Sequence, residues 1–207
     1  MPCEGGSFLG GRLSLRRNGI IYTMYNMSAP TGHVFIATSL DGFIARRDGD
    51  IEWLVSFPGT QGVDHGYDAF IADIDGLITG RGTYEKVLTM EPWYYNRPVV
   101  VLSRQLAGTE PPERLRGKVV FRDETPEEAM AHVAAEGWRR VYVDGGQVIQ
   151  AFLRAGLIED MVVTQVPILL GDGLPLFGRT DSDIRLTHQE TRSFASGLVQ
   201  SRFTVDR

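Results

Sequence analysis

Residues 77–85 read Leu77-Ile78-Thr79-Gly80-Arg81-Gly82-Thr83-Tyr84-Glu85, and residues 141–147 read Val141-Tyr142-Val143-Asp144-Gly145-Gly146-Gln147. Each is a short apolar run that meets glycine and then a helix-compatible stretch, the pattern of a buried strand leading into a helix. Glycine at such a junction lets backbone amides approach a ligand closely. The helix start offers unpaired N–H groups at the positive end of its dipole. One junction of this kind is common in α/β proteins. Two, each after a parallel strand, suit the pyrophosphate of a dinucleotide, which needs amides from the carboxyl edge of a sheet. Arg81 adds a fixed positive charge suited to a phosphate. The plain alternative for residues 77–85 is a strand–helix turn with Thr83 as cap and Arg81 in solvent. Neither stretch completes G-x-G-x-x-G or places Lys-Ser/Thr after its glycines, which argues against a standard Rossmann fold and a P-loop kinase.

Outward from these junctions the chain alternates strands and helices. Strands are expected over residues 33–39, 76–79, 99–102, 118–121, 140–143 and 161–166, and helices over 64–73, 81–88 and 147–154. A further helix begins at Thr125, with Pro126 at its first position and Glu127 and Glu128 in its first turn, and stops at Gly137. Two alternating segments near 185–190 and 198–205, separated by Ser196-Gly197, read as a closing antiparallel hairpin. The alternation implies right-handed crossovers and a mixed, largely parallel sheet in an α/β fold. A third ligand signal is Val101-Leu102-Ser103-Arg104 at a strand end, where hydroxyl plus guanidinium suits a ribose 2′-phosphate. Its alternative is a strand end capped by an exposed arginine.

A chain of 207 residues allows one well-buried domain and is short for two. Residues 1–30, rich in glycine and without periodicity, are expected to be a poorly ordered extension, with one domain over 31–207. The net charge of −5 argues against nucleic acid as partner, since phosphate contacts need clustered cations. Cys3 is the only cysteine, so no internal disulfide or thiolate cluster forms. No apolar run has the length of a membrane span, and a cytoplasmic location without membrane partners is expected. His33, His65, His132 and His188 lack ligand spacing, so no metal site is expected.

Taken in order, several segments carry a resemblance. They are Ala37-Thr38-Ser39-Leu40-Asp41-Gly42, Trp53, the Gly80 to Glu85 turn, Ser103 and Asp144-Gly145-Gly146. The series continues through Leu153-Arg154-Ala155-Gly156-Leu157-Ile158-Glu159-Asp160 to Pro167-Ile168-Leu169-Leu170-Gly171. This set resembles the dihydrofolate reductase superfamily, most closely the reductase domain of the bifunctional riboflavin-biosynthesis deaminase–reductase. The resemblance implies a three-layer dihydrofolate-reductase-like fold, NADPH as cofactor and a homodimer. It puts Ala37 and the 41–45 loop, with Ile44, against the nicotinamide, and Trp53 near the cofactor, a core or lid role being its alternative. Gly80, Arg81 and Thr83 go to the phosphates, Ser103 and Arg104 to the adenosine end, and Gly145, Gly146, Gln147 and Val148 to the pyrophosphate. Asp144 takes the place of a substrate-contacting glutamate and is shorter by one methylene; Asp41 is its companion at the substrate.

The expected reaction is hydride transfer from NADPH to a C=N or C=O carbon of a small, pteridine- or pyrimidine-like heterocycle, the protein supplying position and electrostatics. Asp68 is the expected proton donor, ahead of Asp41, Asp144 or a bound water. It borders the apolar stripe of its helix beside Tyr67, whereas Asp64 is accounted for as a helix-start acid. Gly146 is expected to leave room for the pyrophosphate. Within the enzyme class the alternatives are 5-amino-6-(5-phosphoribosylamino)uracil reductase and dihydrofolate reductase. Outside it stands a non-catalytic nucleotide-binding domain.

Overall fold

Apolar β-branched runs bounded by glycine, proline and acidic turns favour short strands, and the stretches between them favour helices that bury one face. The computed structural model describes residues 29–60 and 62–206 with side chains, and residues 12–17 and 20–25 as backbone. The latter are β1 (Arg12–Arg17) and β2 (Ile20–Tyr25), an antiparallel two-stranded sheet of their own. Of the 1–30 extension, residues 1–11, 18–19 and 26–28, Cys3 included, lie outside the described residues.

The main body begins with β3 (Thr31–Ser39), the short β4 (Phe43–Ala45) and α1 (Glu52–Val55). Then come α2 (Tyr67–Ala72), β5 (Gly76–Gly80), α3 (Arg81–Leu88) and β6 (Val99–Leu102). A 3-10 turn at Glu113–Leu115 leads to β7 (Val119–Arg122), α4 (Pro126–Ala135) and β8 (Arg140–Asp144). The chain ends with α5 (Gly146–Arg154), β9 (Ile158–Val166), β10 (Leu174–Pro175), β11 (Leu186–Ser193) and β12 (Val199–Val205).

Eight strands form one sheet in the order β11-β12-β9-β3-β8-β5-β6-β7, and β4 pairs with β10 in a small one. From β9 to β7 every pairing is parallel, while β11-β12 and β12-β9 are antiparallel. The mixed sheet with a closing hairpin is the expected architecture. Alternate residues face opposite layers. Val34, Ile78, Val100, Val141, Val143 and Met161 join Met130, Val133, Ile149 and Phe152 of α4 and α5 in one core. Leu77, Val99, Val101 and Tyr142 point the other way, against Ile71 of α2 and Tyr84 and Val87 of α3.

The start of α4 carries the full reciprocal cap. Thr125 Oγ1 accepts from the Glu128 amide at 3.3 Å, and the Thr125 amide donates to the Glu128 carboxylate at 2.9 Å. Such a cap contributes about 1 kcal/mol. The amino edge of the sheet is also closed by side chains. Asp75 accepts the amides of Arg139 and Arg140 at 2.6 and 2.9 Å. His33 is fully buried between Asp160, 2.9 Å from Nδ1, and Thr31 Oγ1, 2.8 Å from Nε2. Among the described residues no helix is long and apolar enough to cross a membrane.

Candidate functional site

The parallel strands all point their carboxyl ends to one edge, and β5 and β8 are neighbours there. Thr79 lies opposite Asp144 in the register, so the two glycine junctions separated by more than sixty residues become adjacent. They interlock. Thr79 Oγ1 donates to the Asp144 carbonyl at 3.1 Å. Gly145 has φ +89°, and a Cβ there would sit 2.5 Å from Thr83 Oγ1; one at Gly80 would sit 3.2 Å from Val148.

Two helices start at this junction, α3 after Gly80 and α5 after Gly145. Neither first turn accepts a side-chain cap. Their amides are therefore open at the positive ends of two dipoles, side by side, which is a binding arrangement for an anion. Gly82 has open space where a side chain would be, and Gln147 is exposed. Thr83 faces Gly145 and gives α3 no cap, unlike the capped-turn alternative, although Arg81 is exposed as that alternative has it. Arg81 is exposed and donates to Glu85 of its own helix at 2.8 Å. Its charge is thus partly engaged.

Gly146 is tight for a reason the sequence did not reveal. A Cβ there would lie 2.8 Å from the Pro175 carbonyl and 3.1 Å from Ile44 Cδ1. The β4–β10 sheet thus occupies the room a side chain would need at this glycine. Ile44 comes to the start of α5 by the same contact. Ser103 ends the strand next to β5, its Oγ accepting from the Leu106 amide at 3.3 Å, and Arg104 beside it is exposed. Ala37 lies on β3, the other neighbour of β8, so the marked positions run along one edge in the order β3, β8, β5, β6.

Asp41 is a loop clasp and not a free ligand. Its carboxylate accepts from Ser39 Oγ at 2.5 Å and from the amides of Leu170 and Gly171 at 3.2 and 2.7 Å. The Ser39 hydroxyl, helped by those amides, holds its pKa below the ordinary carboxylate value. Both oxygens are engaged in holding the loop. Trp53 is 6% exposed and packs on Val166 and Leu198 in the core cluster under the loop, as its alternative role required. Its indole N–H has no partner among the described residues.

The carboxylates near α2 divide differently from expectation. Asp64 Oδ1 accepts the amides of Gly66, Tyr67 and Asp68 at 3.0, 2.7 and 3.3 Å, which makes it the start of α2. Asp68 is exposed on the first turn. The desolvated carboxylate is Asp144. Burial raises its pKa against the lowering effect of hydrogen bonds from the Tyr95 hydroxyl at 2.7 Å and the Gly145 amide at 2.8 Å. A carboxyl shifted upward in this way at the carboxyl edge of the sheet suits proton transfer.

Around Asp144 lies an aromatic cup that sequence reading passed over. Phe35 and Tyr142 come from the sheet, Tyr67 and Phe70 from α2, and Tyr94 and Tyr95 from the segment before β6. Ring centroids are 5.7 Å apart for Phe35–Tyr67, 5.0 Å for Phe70–Tyr142 and 5.7 Å for Tyr67–Tyr94. Tyr142 donates to the Phe35 carbonyl at 2.8 Å. The available signal was the run Trp93-Tyr94-Tyr95, too polar and aromatic for a bare loop.

Residues 30–200 match the RibD C-terminal domain family. The chain is 31% identical over 169 residues to the Bacillus subtilis (strain 168) protein YwjB, covering 80% of this chain and 92% of that one. A solved structure from Shewanella sp. PV-4, of a protein named for riboflavin biosynthesis, superposes with a TM-score of 0.80. That protein is 39% identical, with 86% of this chain and 99% of the other covered. Enterococcus faecalis dihydrofolate reductase, solved as a complex with NADP(H), gives a TM-score of 0.60 at 16% identity, over 86% of this chain and 97% of the other. That last likeness concerns the fold.

Proposed function

The chain belongs to the RibD C-terminal domain family, and from that premise we propose that it is an NADPH-dependent reductase of a small nitrogen heterocycle. One observation carries the reading: two adjacent, uncapped helix starts at the carboxyl edge, beside a desolvated carboxylate in an aromatic cup.

The amides of α3 and α5 would hold the cofactor phosphates, with Arg81 contributing the charge that Glu85 leaves free. Ser103 and Arg104 would meet the 2′-phosphate. Ala37 and Ile44 would border the nicotinamide. The residues fit the group because open donors and open space coincide at Gly82 and Gln147. NADPH, when bound, supplies a hydride to the heterocycle carbon.

This chain's residues then govern the proton. Asp144 is the group placed to deliver it, since burial shifts its pKa upward and the Tyr95 hydroxyl fixes the carboxylate. Asp68, exposed to screening by water, is placed second. The Asp41 clasp keeps the 41–45 loop against residues 170–176, which limits water at the reacting carbon.

The test is fluorescence titration of the protein with NADPH and NADH, then cofactor oxidation with pterin, pyrimidine and flavin-precursor substrates. Tighter binding of NADPH and substrate-dependent oxidation are expected. Failure to bind either nucleotide would sink the reading.

A further inference from the structure

We propose that two copies of this chain pack face to face through a groove beyond the C-terminal end of α5, each seating Phe177 in the groove of the other. This surface is separate from the reductase site, since it takes the last turn of α5 and not its open start.

The sheet extends past its helices. α5 packs on β5, β8 and β9, and among the described residues no helix packs comparably on β12 or β11. A sheet face that carries apolar side chains needs a second layer. Phe203 pairs with Met161, and Leu186 with Val205, so all four lie on the α5 side of these strands. Phe203 and Val205 are only half-buried there, and Leu186 is 40% exposed.

A groove of about 410 Å³ opens on this face, walled by Leu153, Met161, Phe177, Ile184 and Leu186. Phe177 forms one wall and keeps half of its own surface in solvent. An exposed aromatic ring beside an apolar groove makes a self-complementary patch. About a two-fold axis the ring of each copy meets the groove of the other, and buried aromatic anchors dominate such contacts.

The charges favour a second copy over a small ligand. Arg154, Arg179 and Asp183 stand at the groove, and none is in an ion pair among the described residues. Arg154 donates to the Arg179 carbonyl at 3.4 Å, which leaves both guanidinium charges unanswered. An anionic ligand would meet Asp183, and a cationic one the two arginines. A copy turned by 180° brings Asp183 of each chain to Arg179 of the other, so opposite signs meet twice.

The contact is made by faces and not by strand edges. β11 is the last strand of the sheet, and it carries a bulge between His188 and Glu190 and the mutually paired Glu190 and Arg192. Bulges and charges keep an exposed edge from pairing with another strand.

Sedimentation velocity of the full chain across micromolar concentrations tests this. The expected mass is twice 23.0 kDa. Phe177→Asp and Leu186→Lys should each raise the dimer dissociation constant about 100-fold or more. Both positions are largely exposed, so the monomers should keep a native circular dichroism spectrum; if Phe177→Asp unfolds, Leu186→Lys and the charge swap decide. Asp183→Arg and Arg179→Asp should each weaken the dimer, and the double variant should restore it. Val120→Asp, exposed on β7 at the other end of the sheet, should leave the mass unchanged. A monomer at every concentration overturns the proposal. Amide protection of residues 184–188 in such a monomer would mean that the chain's own N-terminal segment covers the face. A dimer that survives both Phe177→Asp and Leu186→Lys overturns it too, as does one broken by Val120→Asp or a charge swap no tighter than its single variants.

Discussion

Replacing Tyr95 with phenylalanine isolates the hydrogen bond that holds Asp144. Tyr95 is 5% exposed, and its ring packs on Trp93 and Tyr94 at centroid distances of 5.6 and 5.4 Å, contacts that phenylalanine keeps. What is lost is a hydroxyl 2.7 Å from the Asp144 carboxylate. A hydrogen bond to a charged acceptor contributes about 1.5–3 kcal/mol, and a neutral one about 1 kcal/mol. The pH dependence follows from the direction of the Asp144 shift. Burial raises its folded pKa above the unfolded value of 3.8, so the folded state binds the extra proton between the two. The stability this proton brings is fully present in acid and lost as pH rises through the folded pKa. Tyr95→Phe raises that pKa further, because the lost donor favoured the charged form. Its cost is therefore largest above the folded pKa, where a buried carboxylate has lost a donor, and smallest in acid. For a domain of this size 1 kcal/mol moves Tm by roughly 2–4 °C. A deficit of roughly 3–12 °C is expected on the alkaline side and about 2–4 °C at the acid end of the folded range. Thermal melts across pH measure it, and turnover of an identified substrate should lose its alkaline limb at higher pH in the variant. An equal deficit at all pH values, or an unmoved limb, would refute the coupling. In an Asp144→Asn background the effect of Tyr95→Phe should no longer depend on pH.

Asp144→Asn should lower turnover by about 100-fold or more, the usual scale for a lost general acid. Asp68→Asn should leave it near the parent value, and the reverse ranking would return the proton to α2. Gly145→Ala should destabilise by roughly 1–3 kcal/mol, from the positive φ and the approach to Thr83; an unchanged urea midpoint would contradict this. Asp41→Asn should flatten the acid limb of the stability profile. A carboxylate with a lowered folded pKa stabilises above its unfolded value and loses that contribution as pH falls through the folded one. A melting profile below pH 5 identical to the parent's would count against the clasp. Arg104→Ala should cut the preference for NADPH over NADH by about tenfold or more, and Arg81→Ala by less, because Glu85 already pairs with Arg81. Equal dissociation constants for the two cofactors in the parent would remove the basis of both.

The elements legible in the sequence were those whose signals are local. Thr125-Pro126-Glu127-Glu128 announces α4 by its own cap chemistry, and Ser196-Gly197 joins two alternating segments that became β11 and β12. The glycine junctions were readable because a parallel strand meeting a helix needs only a few consecutive residues. What stayed hidden depends on contacts distant in sequence. β4 and β10 are three and two residues long and exist by pairing Ala45 with Leu174 and Phe43 with Pro175. Two of the three donors to Asp41 lie about 130 residues away, at Leu170 and Gly171. The aromatic cup gathers tyrosines from positions 67, 94, 95 and 142, a spacing with no period, and only the strand order unites them. Asp68 looked like the better acid because helix geometry is readable from sequence. Asp144 needed Tyr95 and a desolvated strand end, which are not.

The two edges of the same parallel sheet are finished differently. At the amino edge Asp75 takes two amides and His33 lies between Asp160 and Thr31, while Asp160 Oδ1 and Arg140 Nε have no partner among the described residues. At the carboxyl edge two helices start without a side-chain cap, each forgoing about 1 kcal/mol that α4 shows the chain can supply. A glycine there holds a backbone conformation unfavourable to other residues, and a carboxylate is buried against its own desolvation. Each feature alone is an ordinary local defect. What sets this edge apart is their meeting on the adjacent strands β5 and β8. Open amides, a glycine turn and a desolvated acid cost stability in the free protein and gain value when an anion and a reacting ring occupy the edge. Together they make the ends of β3, β8, β5 and β6 the place where the predictions above test for chemistry.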